Sequence, residues 1–405
     1  MSTSAEGLQE RISKLEKYCS DWCLNVNIKK TKIITFNKAG RKIQSKFTFQ
    51  NNNIECVSSY KYLGTYFSAS GSFSIGRTEL YNKALKAFYK LKKDFLNLMP
   101  GIKTSIHLFD HTLKPILLYN SEVWGGYPAS LHKLNSSPFD PDNVFKLFQC
   151  EKLHLKFLKC ILGVHKKSVN FAVLAELGRF PLHYDILKSL INYWYRFENL
   201  NEFSLLKDAY LCSKSIHFNN KLSWYSFVDK TLNYVGIGQH CKDLSPYKFK
   251  KNVTKLIHNK YIESWYNSRN KFIDGKLCTY FKLKQCFGFE NYLTVIKNCD
   301  IRRSICKLRI SAHKLMIEVG RYSNIPRNQR FCNKCNSGSI GDEIHFLINC
   351  EKFLNDRKSV YDLVESNVQN FTNLNDDQKF LYLLTSENIP VLNAVGKFIL
   401  NNICN

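Results

Sequence analysis

The chain has 405 residues, of which 44% are apolar, with a formal net charge of +26. That length and apolar content fit two or three domains with their own cores and exclude a disordered composition. So large a basic excess points to a polyanionic partner, with nucleic acid the first candidate and an anionic membrane surface the second.

The charge is concentrated. Residues 248–330 hold 19 Lys/Arg against five Asp/Glu, a net +14, whereas residues 337–405 hold five against nine, a net −4. A concentrated patch is the footprint expected for phosphates. The opening MSTSAEGLQERISKLEK has neither a basic leader nor an apolar run, so it does not read as a signal peptide, and no apolar run reaches membrane-span length. Fifteen Cys without such a signal imply a reducing, intracellular compartment, nuclear or cytoplasmic, with no membrane partner.

In chain order, residues 6–22 predict an amphipathic helix on Leu8, Ile12, Leu15, Cys19 and Trp22, capped by Ser4. The period then changes to two. Strands are expected at 32–36, at 46–49 and at 54–57 around an Asn51-Asn52-Asn53 turn, and from Tyr60 to Phe67. From Ser72 onward the pattern is helical. One stripe runs from Leu80 to Leu98, closed by Pro100-Gly101, and a helix over 106–124 carries Pro115 as a kink. Residues 126–143, with Pro128, Pro138 and Pro141, are the best candidate linker. Further helices are expected at 144–162 closed by Gly163, at 169–177 closed by Gly178, and at 185–200; residues 203–320 give weaker helical patterns. The expected class is therefore α+β, mostly α, with a small N-terminal antiparallel β unit and one helix.

Near the C-terminus, Cys332-x2-Cys335-x9-His345-x4-Cys350 supplies four ligands at spacings suited to tetrahedral zinc, with His345 and Cys350 on one incipient helix about a turn and a half apart. Before it, Lys248, Lys250, Lys251, Arg269 and Lys271 interleave with Tyr247, Phe249, Tyr261, Trp265 and Tyr266. Bases could stack on such rings while the cations meet phosphates. Each ring taken singly is better placed in a helical core; the charge as a whole favours nucleic acid.

Three stretches in fixed order resemble the LINE-type (non-LTR) retrotransposon reverse transcriptases. Leu24-Asn25-Val26-Asn27-Ile28-Lys29-Lys30-Thr31-Lys32 looks like motif D of the palm. Ser59-Tyr60-Lys61-Tyr62-Leu63-Gly64 looks like motif E, the primer-grip hairpin. Leu113 to Tyr119, running into Ser121 to Gly125, is similar to the helical thumb. The C-terminal Cys-Cys-His-Cys segment and the run-up to it, 308–330, resemble the end of the same proteins. The resemblance covers residues 1–200 and 300–360. It implies an end of palm at 1–70, a thumb-like region at 71–200, a helical basic region at 201–330 and a zinc-knuckle-like segment with a helical tail at 331–405.

By that resemblance Lys30 lies near an incoming nucleotide. Contacts to RNA or DNA are expected at Tyr62, Leu63 and Gly64, at Lys248, Lys250 and Lys251 from the basic-aromatic pattern, and at Arg302, Arg303, Arg309, Arg321, Arg327 and Arg330. The parent activity is RNA-templated DNA synthesis on two Mg²⁺ ions held by carboxylates that include an Asp pair. The sole Asp-Asp here, Asp376-Asp377, has the wrong flanks and reads as a helix start. Residues 2–6 match the stretch that comes after the catalytic turn in the family. The expectation is a fragment that binds nucleic acid without polymerising it, Met1 being internal to a longer ancestral frame or the element 5′-truncated. The alternative is a non-enzymatic zinc-containing nucleic-acid-binding protein derived from such an element.

Overall fold

The computed structural model describes every residue except 38–39, 42–44, 99, 128–138, 147, 239–242, 270–274, 369 and 405. The architecture is α+β and mostly helical: a small β unit near the N-terminus, then helices to the end. Most of the expected linker, including Pro128 and Pro138, lies outside the described residues, as does Lys271.

Helix α1 (Ala5–Asp21) is capped by Ser4, whose hydroxyl accepts the Gly7 N–H at 3.1 Å. Only Ile12 and Cys19 of its apolar stripe are buried; Leu15 and Trp22 are exposed. Strands β1 (Lys32–Ile33), β2 (Phe47–Phe49) and β3 (Asn52–Cys56) form one sheet in the order β1-β3-β2. The sheet is mixed rather than antiparallel. β2 and β3 are a hairpin, but β1 runs parallel to β3, with Lys32 opposite Glu55 and bonded to it at 2.7 Å. The hairpin turn is Gln50-Asn51, both at positive φ, the geometry that matches strand twist in a two-residue loop. Beyond β3, the single strand expected over 60–67 is itself a hairpin of β4 (Ser59–Tyr62) and β5 (Thr65–Ser68). Leu63 and Gly64 make the turn at φ +46° and +86°, and an aromatic-rich run conceals such a turn from a period-two reading.

Helix α2 (Ser74–Asp94) buries Ala84, Phe88 and Leu91. The expected 106–124 helix is four pieces: α3 (Ile102–Leu108), a π turn (Phe109–Leu113), α4 (Lys114–Leu117) and α5 (Ser121–Trp124). Pro115 accounts for the first break, because its ring crowds the preceding turn and it lacks an N–H; the π turn absorbs the misfit. Asn120 at φ +54° makes the second. Likewise 144–162 divides into α6 (Pro141–Phe145) and α7 (Gln149–Leu162), the latter ended by Gly163 at φ +67°. Next come α8 (Asn170–Glu176), α9 (Leu182–Glu198), α10 (Leu205–Phe218), α11 (Trp224–Val235), α12 (Pro246–Arg269) and α13 (Cys278–Leu283). The last are α14 (Tyr292–Val295), α15 (Cys299–Arg309), α16 (Met316–Tyr322), α17 (Leu354–Glu365), α18 (Asp376–Thr385) and α19 (Ile389–Ile399). Among the described residues the β unit has its own core of Ile12, Cys19, Ile33, Phe47, Phe49 and Ile54, and a second core runs from Ala84 to Ile399.

Two buried ionic clusters tie distant segments together. At the first, Arg309, with a fully buried side chain, donates to Glu176 and to Glu290 at 2.6 Å each and to the Leu384 carbonyl at 3.0 Å. Burial works against its charge, but the two carboxylates outweigh that and raise its pKa. The Tyr292 hydroxyl donates to Glu176 at 2.8 Å, and Lys284 pairs with Glu290. At the second, Glu151 sits between His154 (3.2 Å) and His183 (3.7 Å), and His183 Nε2 meets Asp142 at 2.8 Å. Burial opposes both charged forms. Hydrogen bonds from His154 and His183 nevertheless take Glu151 down to about 2, and Asp142 and Glu151 lift His183 to about 9.

Removing one partner of a buried pair leaves the others uncompensated, so Arg309→Ala is expected to cost about 3–5 kcal/mol; an unchanged melting temperature would contradict the clamp. The second cluster sets a pH window. His183 is raised, so its contribution is complete below its ordinary value of 6.5 and lost as pH rises through about 9. Glu151 is lowered, so its contribution is complete above 4.5 and lost as pH falls toward about 2. The wild-type melting temperature should fall between pH 6.5 and 9.5 by more than that of His183→Gln; parallel profiles would contradict the assignment.

Candidate metal centre and basic groove

Residues 331–350 begin as a tight hairpin. Phe331 bridges Ile340, and the Cys332 N–H donates to the Ser339 carbonyl at 2.8 Å. Gly338 takes the left-handed conformation (φ +68°) that the turn requires. Gly341 is fixed by crowding: a Cβ there would stand 2.9 Å from Cys332 Cα and 3.1 Å from Met316 Cβ.

The hairpin carries Cys332 and Cys335 to the face of the next element, a single π turn at His345–Asn349. That turn corrects the expected helix. On an α-helix, residues five apart point about 140° away from each other, given 100° per residue. Closing the turn with an i→i+5 bond, Cys350 N–H to the His345 carbonyl at 2.7 Å, brings both side chains to one side. Asp342 starts the turn, its carboxylate accepting the His345 N–H at 2.8 Å, and Arg357 donates to the Cys350 carbonyl.

All four residues are thus brought together. Their ligand atoms lie within 4.8 Å of one another, with Cys332 Sγ 3.9 Å from Cys350 Sγ and Cys335 Sγ 3.3 Å from His345 Nε2. Zn–S bonds of about 2.3 Å around a tetrahedron imply S···S edges of about 3.8 Å. The cluster can hold a metal ion, and three sulfurs and an imidazole are compatible with zinc. The Ser337 hydroxyl and backbone, then His345, pull the Cys335 thiol down to about 6, toward the thiolate that a metal ligand must be. Burial pushes Cys350 up to about 12. Behind the site, Ser311 and His313 both bond the buried Glu343 carboxylate at 2.9 Å, two residues from His345. The His313 Nδ1 accepts the Leu315 N–H at 3.3 Å, which leaves the ring proton on Nε2, facing Glu343. The sequence motif named the four ligands; it did not expose Gly341, Asp342, Glu343 or Arg357, whose roles depend on contacts across the fold.

The expected nucleic-acid contacts separate into three groups. Lys30 is exposed in a turn, and the Tyr60 hydroxyl donates to its carbonyl at 2.7 Å, tying it to the β4–β5 hairpin. At the hairpin tip Tyr62 and Leu63 are exposed, and the Tyr119 hydroxyl bonds the Leu63 carbonyl at 2.8 Å, its ring packed where a Gly64 Cβ would stand. In α12 the stripe Phe249, Val253, Ile257, Tyr261 and Trp265 is buried at i,i+4 spacing, so these rings are core and not stacking platforms. The opposite face presents Lys248, Lys250 and Lys251, with Lys255 added, all exposed, and no carboxylate among the described residues pairs with them. Tyr247, Lys250, Lys251, Lys255, His258 and Phe180 line an open groove of about 840 Å³. His258 stacks on Phe180 at 3.9 Å, and partial burial, then Lys188, hold its pKa below the ordinary value. Lys255 and His258 follow from the same i,i+4 register, four and seven residues past Lys251.

Among the arginines the correction is Arg309. Arg309 is the buried clamp and offers nothing to a phosphate. Arg302 is 6% exposed and donates to the Ile296 carbonyl at 3.0 Å, with Arg303 beside it partly exposed. Arg321 pairs with Glu318 at 2.8 Å. Arg327 bonds the Gly275 carbonyl and Cys278 Sγ; Arg330 bonds the Ile317 and Ile325 carbonyls at 2.9 Å each. Clustered charge in sequence cannot distinguish a guanidinium that braces the backbone from one that faces solvent.

Among the described residues no helix is long and apolar enough to cross a membrane. Comparison of the chain with known protein families, with curated proteins and with solved structures finds no match. Metal analysis of the purified protein is expected to find one bound ion per chain, lost in Cys335→Ala and reduced in Gly341→Val; equal metal content in wild type and Cys335→Ala would refute the centre.

Proposed function

We propose that this chain is the nucleic-acid-gripping part of a LINE-type reverse transcriptase. On this reading it binds RNA or DNA through the α12 groove, carries zinc at Cys332, Cys335, His345 and Cys350, and does not polymerise nucleotides by itself. The observation that carries the reading is the outer face of α12. Among the described residues Lys250, Lys251 and Lys255 on that face meet no carboxylate, and they border a groove with one exposed aromatic, Tyr247. Cations without carboxylate partners beside a stackable ring suit a flexible single strand. The motif-like segments add support: Lys30, Tyr62, Leu63 and Gly64 are joined through Tyr60 and Tyr119 into one exposed edge. Against polymerisation stands the engagement of Asp376 and Asp377. They open α18 behind the Asn375 cap and bond Asn349 and Lys282, so they are not poised to hold two Mg²⁺ ions. The second reading, a non-enzymatic zinc-containing nucleic-acid-binding protein derived from such an element, rests on the same groove and differs in taking the chain as a binder in its own right rather than as part of a polymerase.

Binding of a labelled single strand, titrated across salt, tests the groove. Replacing Lys250, Lys251 and Lys255 by Gln should weaken binding and reduce the log–log salt slope by about 2, at roughly 0.7 for each phosphate no longer neutralised; an unaltered slope would remove the proposal. In a primer-extension assay with Mg²⁺ the chain should incorporate nothing, and templated incorporation would overturn the inactive reading.

A further inference from the structure

A second basic site lies away from the α12 groove, where the start of α15 meets the ends of α2 and α7. A cavity of about 360 Å³ is lined there by Lys92, Asn97, Ser105, Cys160, Arg302 and Arg303. At about 30 Å³ per water molecule that is room for roughly a dozen waters. The cavity is cationic with little to neutralise it. Arg302 is 6% exposed, and its one described hydrogen bond is from Nη1 to the Ile296 carbonyl. Arg303 has a buried Nε with no partner, and its only ion pair among the described residues is a 3.6 Å contact to the exposed Asp300. Its side chain lies against Gly163, where a Cβ would fall 2.5 Å from Arg303 Cδ, so the guanidinium is held in place from behind.

Burying a guanidinium is unfavourable unless its charge and donors are met. Arg309 meets that rule with two carboxylates. Among the described residues no carboxylate pairs with Arg302, and its guanidinium, held at Nη1 by the Ile296 carbonyl, lines a cavity with a second guanidinium and an ammonium. Planar five-donor forks match the oxygens of phosphate. We propose that this cavity is a phosphate-binding site, taking one phosphate group between Arg302, Arg303 and Lys92. The phosphate belongs either to the 5′ end of a nucleic-acid strand or to free phosphate. The first source rests on the nucleic-acid reading; the site itself does not.

Calorimetric titration of the full chain with inorganic phosphate, and with a short single strand carrying either a 5′-phosphate or a 5′-hydroxyl, tests it. Saturable binding of one phosphate per chain is expected, weakened tenfold or more by Lys92→Gln and by Arg303→Gln and unchanged by Lys251→Gln in the other groove. Lys92 is exposed at the rim, so its variant should remain folded even if changes at Arg302 do not. A 5′-phosphate preference that disappears in Lys92→Gln would assign the site to strand ends; equal binding of both strands with phosphate still bound would assign it to free phosphate. No phosphate binding, or binding indifferent to Lys92 and Arg303, would overturn the proposal. Loss of salt-dependent strand binding in Lys251→Gln concerns the α12 groove alone, so the two readings fail separately.

Discussion

The buried guanidinium of Arg309 is the point on which the helical part of the molecule is assembled. It takes Glu176 from α8, Glu290 from the segment before α14 and the Leu384 carbonyl from α18, elements separated by more than 200 residues. A charge with those ligands cannot be half satisfied, because each carboxylate without it is left in a dry interior. The segment pairing that accompanies it is equally close. Glu290 N–H bonds the Glu176 carbonyl at 3.1 Å, and Gly178 lies where a Cβ would be 2.6 Å from Phe289 N.

Anchoring α15 at its C-terminal residue also positions the candidate metal centre. Two residues past Arg309, Ser311 turns at φ +52° and, with His313, holds Glu343, two residues before His345. On the other side Arg357 of α17 holds the Cys350 carbonyl, and Cys350 itself is fully buried. The four ligand atoms are therefore placed by the core rather than by the loop alone, with one buried and polar layer behind them, the arrangement that orients ligands in metal sites. The cost of that placement falls on the thiols. Cys350 is driven away from ionisation by burial, and a cation is the group that would reverse this.

How much of this was legible from sequence depended on the range of the forces involved. The grouping of Cys332, Cys335, His345 and Cys350 was, since they are near neighbours with spacing that tetrahedral chemistry constrains. Helix ends marked by Gly163 and Gly178 were legible too, because left-handed closure is local. The π turns were not. That at Phe109–Leu113 is a response to Pro115, and that at His345–Asn349 puts both ligands on one side, but neither alters the apolar periodicity on which a helix is recognised. The parallel pairing of β1 with β3 escaped because pairing partners are not encoded in a two-residue strand. Charge was legible in sum and not in role: Lys250 and Lys251 face water, while Arg309 and Arg330, in the same basic stretch, are structural. The β4–β5 hairpin lay within a run whose aromatics hid the turn from the period-two pattern, although the resemblance of residues 59–64 to motif E implied a hairpin there.

The shape of the candidate metal centre is the feature most open to a direct physical measurement. X-ray absorption at the zinc edge of the purified protein should give a first shell of three sulfurs at about 2.3 Å and one nitrogen at about 2.0–2.1 Å. Zinc surrounded only by oxygen and nitrogen, or a folded protein that retains no metal after dialysis, would contradict the centre and with it the placement of residues 331–350.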